Sequence, residues 1–143
     1  MRSGVFLAFI VAIIVNTVGF VVYSIAKCTI LANVHFQGNL GNLGSSLVTY
    51  STAMMALVIA MIVVIFSLSG NKIENFKKAN YMYATYSLYI ITFIELGITM
   101  ALSLLCLSNI KSFTVASFAL LFALNTFLLI FVLIFQVINL RKD

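Results

Sequence analysis

Proline and tryptophan are absent from this chain, cysteine occurs twice and histidine once, and only three acids and eight Lys or Arg residues are spread over 143 residues. Each shortage excludes something. A charged fraction of 8%, against roughly 25% in soluble domains, leaves too little polar skin for a globular fold in water. Two cysteines exclude a disulfide-rich scaffold, and His35 has no second histidine or neighbouring carboxylate with which to hold a metal or act as a base. There is no Asn-x-Ser/Thr sequon, so N-glycosylation drops out. Nor is there a Gly-x-Ser-x-Gly elbow, a Cys–His pair or a phosphate-binding glycine loop, so the chain is expected to be non-enzymatic and to need no cofactor. Without proline, nothing forces a kink into a long helix.

What fills the chain is apolar: 64% of it is hydrophobic, arranged as four runs of the roughly 20 residues that an α-helix needs to cross a bilayer. The runs predict helices near 4–26, 47–69, 82–107 and 113–138, with an outer loop 27–46 and a basic inner loop 70–81. They lack the short alternating segments of barrel strands, and in lipid the backbone must be satisfied within each segment. The fold class is therefore an all-α integral membrane protein, a four-transmembrane-helix bundle forming one domain over 1–143, and its localisation is a membrane that it crosses several times. The first run lacks a small-residue cleavage site and is followed by three more, which argues against a signal peptide.

Arg2, Lys72, Lys77, Lys78, Arg141 and Lys142 fall on one side of four alternating spans, and only Lys27 and Lys111 on the other. The positive-inside rule then predicts cytoplasmic N and C termini. Charges placed singly at span ends are topological, so nucleic acid is excluded as a partner; the expected partners are the lipid bilayer and other membrane protein subunits, in a homo- or hetero-oligomer. Tyr23 and Tyr50 are expected near the outer interface, and Tyr81, Tyr83 and Tyr86 at the inner start of the third helix, where amphipathic rings settle. In the outer loop, Cys28 to Phe36 reads as a short strand or surface segment, and the repeat Gly-Asn-Leu at 38–40 and 41–43 as flexible turns.

Helical periodicity identifies inward faces. Gly4, Ala8, Ala12, Asn16, Gly19 and Tyr23 fall within about a third of the first helix's circumference, as Thr49, Ala53, Ala56, Ala60 and Ser67 do on the second. Small residues permit close backbone approach, so the helix-packing seams are predicted at Gly4, Ala8, Ala12 and Gly19 and at Ala53, Ala56 and Ala60. The third helix presents Thr85, Thr92, Glu95, Thr99, Ser103 and Cys106 within about 80°. The fourth places Thr114, Ser117, Asn125, Gln136 and Asn139 on one side.

Asn16, Glu95 and Asn125 lie near the middle of three different spans, which predicts an intramembrane polar cluster with Thr92 and Thr99 alongside. A charged carboxylate at the bilayer centre costs at least about 2.5 kcal/mol, and no Lys or Arg lies at its depth. Glu95 is therefore expected as a neutral acid, donating one hydrogen bond and accepting another from the asparagine amides. Cys28 and Cys106 fall at the same membrane surface, so a single disulfide is expected if that side is oxidising.

The segments Val15-Asn16-Thr17-Val18-Gly19-Phe20 and Val48-Thr49-Tyr50-Ser51-Thr52 resemble fragments of the small fluoride-channel family, but that family has another helix before the asparagine and a phenylalanine where Ala53 stands. The layout of four spans with one longer first outer loop resembles the tetraspan architecture of MARVEL and claudin-type proteins, in topology alone. The function expected first is a structural or accessory subunit of a larger membrane assembly. A small channel, transporter or proton-conducting subunit using Glu95 is the alternative, and a tetraspan cell-contact protein a third.

Overall fold

The computed structural model describes residues 2–29, 37–67, 74, 81–109 and 112–141. Four long helices account for nearly all of them: α1 Arg2–Thr29, α2 Leu40–Ser67, α3 Tyr81–Leu107 and α4 Phe113–Arg141, with a 3-10 turn at Gln37–Asn39 leading into α2. Each contains a segment long and apolar enough to cross a membrane. At 28 residues, α1 is about 42 Å long, well over the roughly 30 Å of hydrocarbon it has to span.

The helices are longer than hydropathy alone indicates, because a helix continues past the apolar boundary until something competes for its backbone. α2 begins at Leu40 instead of 47, so the outer connection expected over 27–46 is shorter at both ends: Cys28 and Thr29 belong to α1. The Gly-Asn-Leu repeat is helical too, its first copy in the 3-10 turn and start of α2 and its second in α2 itself. The rest of the expected Cys28–Phe36 strand, His35, and the basic loop 70–81 apart from Glu74 and Tyr81 lie outside the described residues. Between α3 and α4, the Ser112 hydroxyl accepts the Val115 N–H at 3.2 Å and its carbonyl the Ala116 N–H at 3.1 Å, an N-cap that starts α4 abruptly.

α3 and α4 each pack against all three other helices, while α1 and α2 sit at far corners of the bundle. Val58, Leu96, Leu129 and Leu133 fill the middle with no exposure. α1 meets its neighbours through Gly4, Ala8, Ala12 and Gly19, all buried, and turns Phe6, Phe9, Ile13 and Phe20 outward.

The second predicted seam is different. Ala53, Ala56 and Ala60 are exposed, with Thr49 and Ser67, and α2 instead buries Leu40, Gly44, Leu47, Ser51, Val58, Met61 and Ile65, a face almost opposite the alanines at 100° per residue. Lipid is as apolar as leucine, so hydrophobicity does not choose the seam; van der Waals fit does. On α2 that fit comes from large side chains in the core and from Gly44, where an added Cβ would sit 2.7 Å from the Ser103 carbonyl and 3.0 Å from the Cys106 Cβ.

A candidate intramembrane polar site

Asn16 on α1, Glu95 on α3 and Asn125 on α4 meet in a directed chain of hydrogen bonds. Asn125 Nδ2 donates to Asn16 Oδ1 at 2.7 Å, and Asn16 Nδ2 donates to Glu95 Oε1 at 2.9 Å. The second Asn16 N–H is used by its own helix, at the Ala12 carbonyl, 2.9 Å away. Three helices are thus tied at one depth by amides and a carboxyl, with no cation involved. Gly19, one turn beyond Asn16, makes room for the arrangement: a Cβ there would collide with Asn125 Oδ1 and come 3.0 Å from its Cγ. Asn125 itself is only 5% exposed.

The chain ends in oxygens without donors. Glu95 accepts from Asn16 as expected, but the bond expected from it as a donor is not formed: Glu95 Oε2 and Asn125 Oδ1 are both buried and make no hydrogen bond among the described residues, a situation that costs about 1–3 kcal/mol per group. Thr92 and Thr99 are fully buried beside them, yet they do not join the cluster: each hydroxyl turns back onto its own helix, Thr92 to the Leu88 carbonyl and Thr99 to the Glu95 carbonyl, both at 2.8 Å. Ser103 does the same towards Thr99. The polar edge read along α3 is therefore present, but it is satisfied locally, and Glu95 reaches across to α1 alone.

On the outer side of this seam an open groove of about 510 Å³ runs between α1 and α3. Asn16, Thr17 and Glu95 supply its polar patch, and Phe9, Ile13, Phe20 and Ile91 its apolar lips. The cluster is thus close to the surface of the bundle, with the tightly filled leucine core behind it.

Two further polar ties escaped sequence reasoning. Gln136 Nε2 donates to the Thr85 hydroxyl at 2.7 Å, linking α4 to α3, and the Tyr50 hydroxyl lies 3.1 Å from the Ala123 carbonyl and 3.2 Å from the Thr126 hydroxyl, linking α2 to α4. Tyr89 is buried with an unpartnered hydroxyl. Thr85 and Gln136 lie on the polar faces expected for α3 and α4, but which partner each meets, and the inward turn of Tyr50 and Tyr89, depend on helix rotation, for which the sequence carries no signal.

The cysteines do not pair. Both are free thiols, Cys28 exposed and Cys106 buried, because Cys106 turns towards the start of α2 and α4, where it packs with Leu40 and Ala116, whereas Cys28 stands on α1. Among the described residues no group of three or more His, Cys, Asp or Glu comes together to hold a metal.

A family model described as "RexB: Membrane-anchored ion channel, Abi component" matches residues 2–143. Among curated proteins, protein rexB of Escherichia phage lambda is 27% identical over 113 residues, which cover 79% of this chain and 78% of that protein. No solved structure matches.

Proposed function

The chain belongs to the RexB family of membrane-anchored ion-channel components, and from that premise we propose that it is an ion-conducting subunit of a larger membrane assembly whose path runs past Asn16, Glu95 and Asn125. It is an integral, multi-pass membrane protein, and the reading gives it no catalytic step.

The observation that carries the reading is the donor-poor end of the hydrogen-bonded chain: Glu95 Oε2 and Asn125 Oδ1, two buried oxygens with lone pairs unused, at the depth where the barrier to an ion is highest. Carboxylate and carbonyl oxygens are the groups that replace a cation's hydration shell or relay a proton in membrane pores. The groove lined by Asn16, Thr17 and Glu95 brings that cluster to the bundle surface. The centre of the single bundle is plugged by Val58, Leu96, Leu129 and Leu133. A path along the groove therefore needs another protein surface as its second wall, since lipid tails cannot bound a wet channel. The chain acts, in this reading, as one component among several membrane subunits.

The competing role is a purely structural clasp, favoured by the way Thr92, Thr99 and Ser103 close back on their own helix. Conductance of the full-length protein reconstituted in planar bilayers separates the two. Glu95→Gln preserves shape and the hydrogen bond from Asn16 but removes the acid proton and with it the ability to ionise. Conductance is expected to fall by about tenfold or more, with assembly size unchanged. Unaltered conductance and ion selectivity in both Glu95→Gln and Glu95→Leu would make the cluster a clasp alone.

A further inference from the structure

A second groove lies at the end of the bundle where α1 finishes and α4 starts, with a volume of about 270 Å³. Its α1 wall is formed by Phe20, Tyr23 and Lys27, spaced so that they stack on one helix face over about 10 Å. Its α4 wall carries Thr114 and Ser117 in the first turns and Phe118 and Leu121 deeper in. The two walls run antiparallel, so they are graded in the same direction. Lys27 and Thr114 face each other at the rim, Tyr23 and Ser117 come next, and Phe20 and Leu121 lie towards the membrane interior. The Lys27 ammonium is 5.7 Å from the centre of the Phe113 ring, which holds it over the groove mouth.

Apart from the Lys27–Phe113 contact, the polar groups in this groove have no partner among the described residues. Lys27, Tyr23, Thr114 and Ser117 have no hydrogen bond or ion pair among the described residues, although hydroxyls elsewhere on the helices, at Thr17, Ser24, Thr85 and Thr99, bond back to their own carbonyls. Ser117 has the Phe113 carbonyl one turn behind it and leaves it alone. Among the described residues no acid balances Lys27 there: Glu95 is mid-way along α3, and Glu74 follows α2, towards the other end of the bundle.

We propose that this groove holds one anionic phospholipid, its phosphate at Lys27 with the Tyr23, Thr114 and Ser117 hydroxyls donating to headgroup oxygens, and one acyl chain laid along Phe20, Phe118 and Leu121. The occupant follows from the gradient. Among the described residues, one uncompensated positive charge and three hydroxyls without a partner stand above an apolar slot, which complements a molecule with a single anionic head and a hydrocarbon tail. A zwitterionic lipid brings its own cation to Lys27 and fits less well. The proposal is independent of the ion path, because no residue of this groove except Phe20 lines the one beside Glu95.

The test is native mass spectrometry of the full-length protein released from bilayers containing equal amounts of phosphatidylglycerol and phosphatidylcholine. One retained phosphatidylglycerol per chain is expected, in clear excess over phosphatidylcholine. Lys27→Gln should lower that excess by about fivefold, the weight of one interfacial lysine. Lys27→Arg should keep it, and Lys77→Gln, in the other connection, should leave it unchanged. Ser117→Leu fills the slot with an apolar side chain that a membrane helix tolerates, and should displace the lipid while helical content is retained. Equal retention of the two lipids by the unaltered protein overturns the proposal, as does an excess that survives both Lys27→Gln and Ser117→Leu.

Discussion

Gly19 on α1 lies directly against the side chain of Asn125 on α4, with the asparagine oxygen occupying the space where any other residue would carry its Cβ. The same side chain donates through its amide nitrogen to Asn16, so the absence of a Cβ at position 19 leaves room for the group that continues the chain. Gly19→Ala is therefore expected to push Asn125 aside, lengthen its bond to Asn16 and destabilise the bundle by about 1–3 kcal/mol, the usual result of overpacking. Unfolding in mixed micelles, compared with Gly97→Ala where an added Cβ meets nothing within 4 Å, checks it.

Asn16 stands between the other two polar groups, donating to Glu95 and accepting from Asn125. Asn16→Leu and Asn125→Leu should each destabilise the bundle, and their effects should not add. A double-mutant cycle is expected to give a coupling of about 0.6–1.7 kcal/mol, the range for interhelical hydrogen bonds in membranes. Strict additivity would mean that the two amides do not share a bond in the bilayer.

At Gly44 an added methyl meets backbone, the Ser103 carbonyl at 2.7 Å, and backbone cannot swing away. Gly44→Ala should force α2 and α3 apart and cost about 1–3 kcal/mol. Gly41→Ala, one turn earlier and with open space around it, should be neutral or stabilising by up to about 1 kcal/mol through helix propensity. The same logic applies to the alanines: Ala12→Leu on the buried α1 seam should be severe, and Ala56→Leu on the exposed face of α2 close to silent in a single copy. Thermal unfolding of the four variants under one set of conditions tests the ordering.

Cys28 is exposed and Cys106 has no accessible surface. In the folded protein a maleimide should modify Cys28 within minutes and leave Cys106 unmodified until denaturant is added, without any reductant. Mass analysis that recovers a linked Cys28–Cys106 peptide from protein handled without reductant would contradict the structure.

Some of this was readable before any fold existed, and the reasons are physical. Four spans follow from backbone hydrogen bonding in hydrocarbon, which admits only long helices for runs such as Val5–Ala26 or Phe113–Ile138. The α1 seam was legible because Gly4, Ala8, Ala12 and Gly19 are the small residues among bulky ones, and small residues repeat on that face only. The convergence of Asn16, Glu95 and Asn125 was legible as depth, since distance along a helix converts directly to height in the membrane.

Direction around each helix was a different matter. Ala53, Ala56 and Ala60 make as regular a stripe as the one on α1, yet they face outward, because in an apolar solvent the choice between two apolar faces rests on shape alone. Whether Thr92 and Thr99 serve Glu95 or their own backbone depended on a rotamer, and both chose the carbonyl four residues back. Whether Cys28 meets Cys106 depended on which neighbour α3 turns that face towards, and it is α2. The sequence by itself determined the number of the helices and the common depth of Asn16, Glu95 and Asn125, because the bilayer acts on each segment separately. Only the tertiary structure decided which faces touch, which polar atoms pair and which are left over, because those are set by the mutual fit of side chains from segments that the bilayer treats alike.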